Sequence, residues 1–205
     1  MLRIYIARHG QNEDNANGIL NGHRDLPLTL IGENQALEVA KKIKESNLKF
    51  NEILTSPLSR ALKTAEIISK VNKFNPPVIN DQLIERDFGS MTGIDQSRVE
   101  ELCYPEVLKT DTITYFLSPD GAETFPDLLV RAGKLLDFIK TQHTDGSILL
   151  VTHGDFGKMI YAKYYNLDWR EVLSLFHFGN SELLLLSSDT QANESHVFKI
   201  FQHNN

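Results

Sequence analysis

Two short stretches hold residues whose types and spacing could do chemistry on an anion: Arg8-His9-Gly10-Gln11 and Thr152-His153-Gly154. Each follows an apolar run, Ile4-Tyr5-Ile6-Ala7 and Ile148-Leu149-Leu150-Val151. A neutral imidazole is a nucleophile, and its protonation changes near neutral pH. An arginine is a planar fork that makes two hydrogen bonds to an oxyanion. The glycine after each histidine removes a side chain where the backbone must turn and a ligand can approach closely. Arg60 lies three residues after Pro57, where a helix is expected to open. From a first helical turn it would point toward the sheet edge, where helix N-termini also favour anions. Other chemistries lack their residues. Cys103 is followed at the offset of a cysteine-nucleophile loop by Lys109 rather than an arginine. No Gly-x-x-x-x-Gly-Lys-Ser/Thr loop occurs, and no His-Glu-x-x-His or Cys-x-x-Cys spacing supports a metal site.

The elements that must position these residues alternate between strands and amphipathic helices. Residues 2–7 read as a short buried strand ending at Arg8-His9-Gly10. Thr29 is a candidate N-cap for a helix with apolar residues at Ala36, Val39, Ala40 and Ile43. Residues 53–55 form a second strand, and Ser56 or Pro57 opens a helix with a stripe at Leu58, Ala61, Leu62, Ala65, Ile68 and Val71. Asn75-Pro76-Pro77 breaks it before a weak strand at Val78-Ile79. A long helix carries Phe125, Leu128, Leu129, Ala132, Leu136 and Ile139, and residues 147–152 are the clearest buried strand. Asp155 is expected to cap the next helix, and late strands follow near 182–187 and 196–201. The pattern predicts an α/β three-layer sandwich, a mostly parallel central sheet flanked by helices. Ligands of such sheets bind beyond the carboxyl ends of the strands, so His9 and His153 should share one edge. No linker or repeat divides the chain, so residues 1–205 are expected to form a single domain, with a small irregular cap at about 90–122.

Composition narrows the partners. Of 205 residues, 21 are Lys or Arg and 27 are Asp or Glu, a net charge of −6, and the hydrophobic fraction is 41%. That balance excludes disorder, and the acidic pI of about 5.6 argues against nucleic acid as a partner. A single cysteine precludes an internal disulfide and points to a reducing, cytoplasmic setting. No run approaches a signal peptide or a membrane span, so no membrane partner is expected. The apolar late strands could support a homodimer through a sheet edge.

These motifs resemble, in order, the signatures of the histidine phosphatase superfamily, which includes the cofactor-dependent phosphoglycerate mutases. Arg8-His9-Gly10-Gln11 with Asn15 matches its opening motif. Gly22-His23-Arg24-Asp25-Leu26-Pro27-Leu28-Thr29, then Gly32 and Gln35-Ala36, matches a second. The third is Thr55-Ser56-Pro57-Leu58-Ser59-Arg60-Ala61 with Thr64-Ala65, and the fourth Leu83-Ile84-Glu85-Arg86-Asp87-Phe88-Gly89 with Gly93. Gly121-Ala122-Glu123-Thr124 and Val151-Thr152-His153-Gly154 complete the series. The resemblance implies a phosphoglycerate mutase-like fold and assigns roles by position. His9 would be the nucleophile that becomes a phosphohistidine. Arg8, Arg60 and Asn15 would bind the phosphate, and His153 would stabilise charge on its equatorial oxygens. Glu85 would donate the proton to the leaving group and later take one from water, with Asp87 and Glu123 as the competing acids. Gln11, Asn21, Gly22 and His23 are candidates for substrate contact; Gln11 stands where Glu is commoner, and Asn21 where the family often has Ser, Thr or Cys. His143, His177, His196 and His203 match no motif and read as structural or exposed.

Positioning and positive charge around three oxygens are most of what phosphoryl transfer requires; with no metal-ligand spacing in the chain, no metal or other cofactor is expected. The implied function is hydrolysis of a small phosphorylated metabolite. The alternatives are mutase-type phosphoryl transfer, a phosphate-binding regulatory module without turnover, and a phosphoprotein phosphatase. Hydrolysis is favoured by residues 90–122, where Arg98 and Lys109 are the only basic residues among six acids, Asp95, Glu100, Glu101, Glu106, Asp111 and Asp120. Such a cap suits the grip of a carboxylate poorly and is expected to disfavour anionic leaving groups.

Overall fold

The computed structural model describes residues 1–199 and 202. The chain opens with strand β1 (Leu2–Arg8), a short helix α1 (Glu13–Asn17) and helix α2 (Leu30–Glu45). Strand β2 (Glu52–Thr55), helix α3 (Ser59–Asn72) and the two-residue strand β3 (Val78–Ile79) follow. Next come α4 (Val99–Cys103), β4 (Val107–Lys109) and β5 (Thr114–Phe116). The second half holds α5 (Phe125–Gln142), β6 (Gly146–Thr152), α6 (Gly154–Tyr165), α7 (Trp169–Leu175), β7 (Leu183–Leu186) and β8 (His196–Phe198).

The main sheet has the order β3-β2-β6-β1-β7-β8. β1, β6, β2 and β3 are parallel neighbours, and β7 joins β1 antiparallel, so the sheet is mostly parallel as the alternating pattern predicts. Alternation along β1 divides the core. Tyr5 and Ala7 pack with Val39, Ile43, Ala61 and Ile68 of α2 and α3 on one face. Ile4 and Ile6 pack with Leu128, Leu136, Met159 and Ile160 of α5 and α6 on the other. That division is the three-layer α/β sandwich.

Local signals place the helix ends. The Thr29 side chain accepts from the Gly32 N–H, the expected N-cap of α2. Thr124 caps α5 in a reciprocal box with Asp127. Two starts differ from the expectation. α3 opens at Ser59 with Leu58 at the cap, because the Pro57 region stays extended. α6 opens at Gly154 with His153 at the cap position. Asp155 is therefore inside the first turn, where it pairs with Arg86 at 3.0 Å instead of capping.

The excursion at 90–122 is more ordered than its composition suggests. Short turns and α4 lead into an antiparallel hairpin of β4 and β5. Phe88, Met91, Val99 and Phe116 form a small apolar cluster of their own beneath it. Helix α7 was also outside the expectation; Asp168 caps it, accepting from the N–H groups of Arg170 and Glu171. The late strand expected at 196–201 ends at Phe198, and Ile200, Phe201 and His203 lie outside the described residues.

Candidate active site

β1 and β6 are adjacent and in register, with Arg8 opposite Thr152. The next residue on each strand is a histidine, so His9 and His153 meet beyond the carboxyl edge with ring centroids 5.0 Å apart. The His9 N–H donates to the Thr152 carbonyl at 2.9 Å. Both imidazoles are buried, at 2% and 0% exposure.

The hydrogen bonds of His9 decide its tautomer. Nδ1 sits 2.6 Å from the Gly10 carbonyl, which can only accept, so Nδ1 carries the proton. Nε2 then holds the lone pair, and the Arg60 Nε–H reaches it at 3.3 Å. Burial, then the charges of Arg60 and Arg8, hold the imidazole well below its usual pKa. The ring is thus a neutral base with its nucleophilic nitrogen defined.

Arg60 is fully buried in the first turn of α3. Its guanidinium donates to the carbonyls of Arg24 at 2.6 Å and Gly22 at 2.9 Å, which aims it at His9. Burial lowers its pKa to about 10, and it keeps its charge at neutral pH. Arg8 Nη1 donates to the Phe178 carbonyl at 2.6 Å, while its buried Nε finds no partner among the described residues. His153 meets Ser56 Oγ at 2.7 Å through Nε2, and its buried Nδ1 likewise has no partner among the described residues. A buried unsatisfied donor is costly, and an oxyanion would satisfy Arg8 Nε directly.

Glu85 reaches the same cavity from the loop after β3. Its carboxyl accepts from the peptide N–H of Arg86 at 2.8 Å and of Phe156 at 3.0 Å, at the start of α6. Burial, reinforced by the nearby Asp155 carboxylate, raises its pKa; those N–H groups and Arg60 pull the other way. Burial prevails, as a proton donor needs. The competing acids are engaged elsewhere: Glu123 pairs with Arg131 at 2.8 Å, and Asp87 accepts from the Gly89 N–H.

Arg8, His9, Asn15, Asn21, Arg60 and Glu85 line one cavity, with His153 packed behind His9. The remaining candidates sit differently. The Gln11 side chain accepts from the Thr29 hydroxyl at 2.8 Å and supports the cap of α2 rather than lining the cavity. Gly22 contributes a carbonyl that holds Arg60. His23 is partly exposed and sits 2.8 Å from the Glu85 carbonyl, so it touches the loop behind the acid and not the cavity. Arg86, which lies in the fourth motif without an assigned role, completes the wall with residues outside every motif: Tyr115, Asp155, Lys158 and exposed His177 at the rim. Asn180 is outside the motifs too; its amide donates to the His9 carbonyl at 3.0 Å. No spacing in the sequence marks these residues, because hairpin, loop and helix bring them together over long separations. Among the described residues, no group of three or more His, Cys, Asp or Glu is placed to hold a metal ion.

A sequence profile described as histidine phosphatase superfamily (branch 1) matches residues 4–200. The chain belongs to the histidine phosphatase superfamily. A 2,3-bisphosphoglycerate-dependent phosphoglycerate mutase of Mesorhizobium japonicum is 32% identical over 156 residues, covering 74% of this chain and 76% of the mutase. Among solved structures, mycobacterial glucosyl-3-phosphoglycerate phosphatase matches with a TM-score of 0.77 at 22% identity, over 90% of this chain and 92% of that one. Phosphoserine phosphatase of Entamoeba histolytica, in complex with 3-phosphoglyceric acid, matches at 0.71 and 25%, over 100% and 98%. The chain is thus similar to proteins named as mutases and to proteins named as phosphatases. Among its described residues, no helix is long and apolar enough to cross a membrane.

Proposed function

We propose that this member of the histidine phosphatase superfamily is a metal-independent phosphomonoester hydrolase that acts on a small phosphorylated metabolite. The carrying observation is the pairing of a neutral His9, lone pair on Nε2, with a buried Glu85 of raised pKa in one cavity. In the first step Nε2 attacks phosphorus and the ester P–O bond breaks. Arg8, Arg60 and Asn15 bind the three oxygens, His153 steadies their charge, and the Glu85 proton passes to the leaving oxygen. In the second step the Glu85 carboxylate takes a proton from water, and that water attacks phosphorus. The N–P bond breaks, releasing phosphate with His9 and Glu85 restored.

The cap itself brings no cation to the site. Arg98 pairs with Glu101 and Lys109 with Glu100, both at the surface, and neither lines the cavity. The six cap acids do not line it either, so the expected bias of the cap against anionic leaving groups has no basis at the site. The cap lends it uncharged residues instead, Gln96, Ile113, Thr114, Tyr115 and Phe116. The second reading is mutase-type transfer, which the names of the curated relatives favour. The test measures phosphate release from p-nitrophenyl phosphate in excess chelator, for wild type and His9→Ala. A panel of phosphorylated acids follows, read both for phosphate and for isomerised ester. Release by the wild type alone is expected. Isomerisation without release would replace hydrolysis by transfer, and chelator-sensitive release would end the metal-independent reading.

A further inference from the structure

The cavity has a cation, Lys158, that neither the phosphate chemistry nor an ion pair uses. Lys158, on α6, is 3% exposed and lines the cavity beyond Glu85. Its ammonium donates to Tyr115 Oη at 3.1 Å and to the Leu173 carbonyl at 3.0 Å. Both acceptors are neutral, and no carboxylate lies within ion-pair distance of it among the described residues. The nearby Asp155 carboxylate is taken by Arg86 at 3.0 Å. A buried ammonium without an anion is costly, and that cost persists in folded proteins where the charge has a use.

The geometry around Lys158 fits one ligand chemistry. Two of its three N–H groups are spent on these acceptors, and the ammonium lies 5.2 Å from the Phe176 ring centre, which leaves one N–H without a hydrogen-bond acceptor. Tyr115 Oη accepts from Lys158, so its own proton is free to donate. Burial keeps the phenol neutral at neutral pH. Burial also lowers the ammonium to about 8, so it is mostly charged at pH 7. Two donors and one net positive charge side by side, with no acceptor, match a carboxylate. Charge balance agrees: the phosphate takes Arg8 and Arg60, Arg86 and Asp155 neutralise each other, and Lys158 is left over.

We infer that Lys158 and Tyr115 form a carboxylate subsite, so that the substrate is a phosphomonoester whose alcohol carries a carboxylate. This rests on the hydrolase reading for turnover, but not for binding. The sequence points away from it, because the cap is acidic; the cation comes instead from α6, and only the phenol from the cap.

The test uses a matched pair, 3-phosphoglycerate and glycerol 3-phosphate, which differ in a carboxylate against a hydroxymethyl group. Calorimetric titration of His9→Ala protein measures binding without turnover, and kcat/KM of the wild type gives the catalytic ratio. The carboxylate ligand is expected to be favoured about ten- to a hundredfold, the usual range for one charge-assisted contact. Lys158→Met should bring that ratio close to one, and Tyr115→Phe, which keeps the ring, should reduce it several-fold. Binding of both ligands within twofold would overturn the inference, while His9-dependent release from p-nitrophenyl phosphate would leave the hydrolase standing. A ratio that survives both substitutions would also overturn it, reducing Lys158 to a cap on the last carbonyls of α7. If no ester is turned over, the hydrolase reading fails, and the binding ratio still decides the subsite.

Discussion

Replacing Glu85 by Gln separates the proton from the position. The glutamine oxygen can still accept from the N–H groups of Arg86 and Phe156, now 2.8 and 3.0 Å from the carboxyl, so the loop should stay in place. What disappears is the proton for the leaving group and the base for water. A general acid or base contributes about 10²–10⁴-fold, so an alkyl phosphate should lose roughly a thousandfold in kcat. p-Nitrophenolate leaves without a proton, so the first step with p-nitrophenyl phosphate should be nearly spared. The second step still lacks its base. A stopped-flow trace should therefore show a burst of about one nitrophenolate per enzyme followed by slow turnover, with phosphohistidine accumulating. An alkyl phosphate should show no burst. The substitution costs the Asp155 N–H its 3.3 Å bond to the second carboxyl oxygen, so the stability effect is read from pH: relative to wild type, Glu85→Gln should gain melting temperature as pH rises toward 7. The Glu85 pKa is raised on folding, so its relative contribution is full below the unfolded value and is lost as pH rises through the folded one. Equal loss with both esters and no burst would refute the acid assignment. Wild-type turnover would remove Glu85 from the reaction.

Other consequences follow from the same packing. Gly32→Ala would gain about 1 kcal/mol in an isolated helix, but here a Cβ collides with the Gln11 carbonyl. Urea unfolding should show a net loss of about 2 kcal/mol or more; a gain would refute the close approach. His9 and His153 have depressed pKa values, so the unfolded chain binds their protons first. Stability should be full above pH 6.5 and fall below it by up to about 1.4 kcal/mol per pH unit for each histidine. Glu85 works in the opposite sense, so the slope is best read in Glu85→Gln protein, where replacing either histidine by Gln should flatten it; an unchanged slope would contradict the assignment. Arg131 ties the carbonyls of Gln82 and Ile84 to Glu123 and stacks 3.8 Å over Phe156. Arg131→Met should cost about 3 kcal/mol in urea unfolding and lower kcat, by freeing the loop that carries Glu85; stability within 0.5 kcal/mol of wild type, about what an ordinary surface change costs, would show that the clamp is idle.

Much of the site was readable in one dimension. Arg8, His9 and His153 follow apolar runs that could only be buried strands, and parallel neighbours must deliver both histidines to one edge. Arg60 was readable because a helix start after Pro57 fixes the direction of its first turn. The helix cap at Thr29 is local too, since its side chain bonds a backbone N–H three residues on. These features depend on residues a few positions apart, and the chain specifies such contacts directly.

Tertiary structure decided the rest. The resemblance already favoured Glu85, but only packing separates it physically from Asp87 and Glu123, because of the three Glu85 alone meets the first turn of α6, 71 positions further on. Gln11 and His23 belong to the motifs yet turn to the Thr29 hydroxyl and the Glu85 carbonyl, since their backbone directions follow from how α2 and the loop pack. The acidic composition of the cap misdirects, because its acids face away from the cavity while its hairpin turns Tyr115 inward. Lys158 reads as an ordinary helix lysine until α6, α7 and the hairpin close over it. Charge at a site depends on which side chains are buried together, and burial is set by contacts across the whole chain.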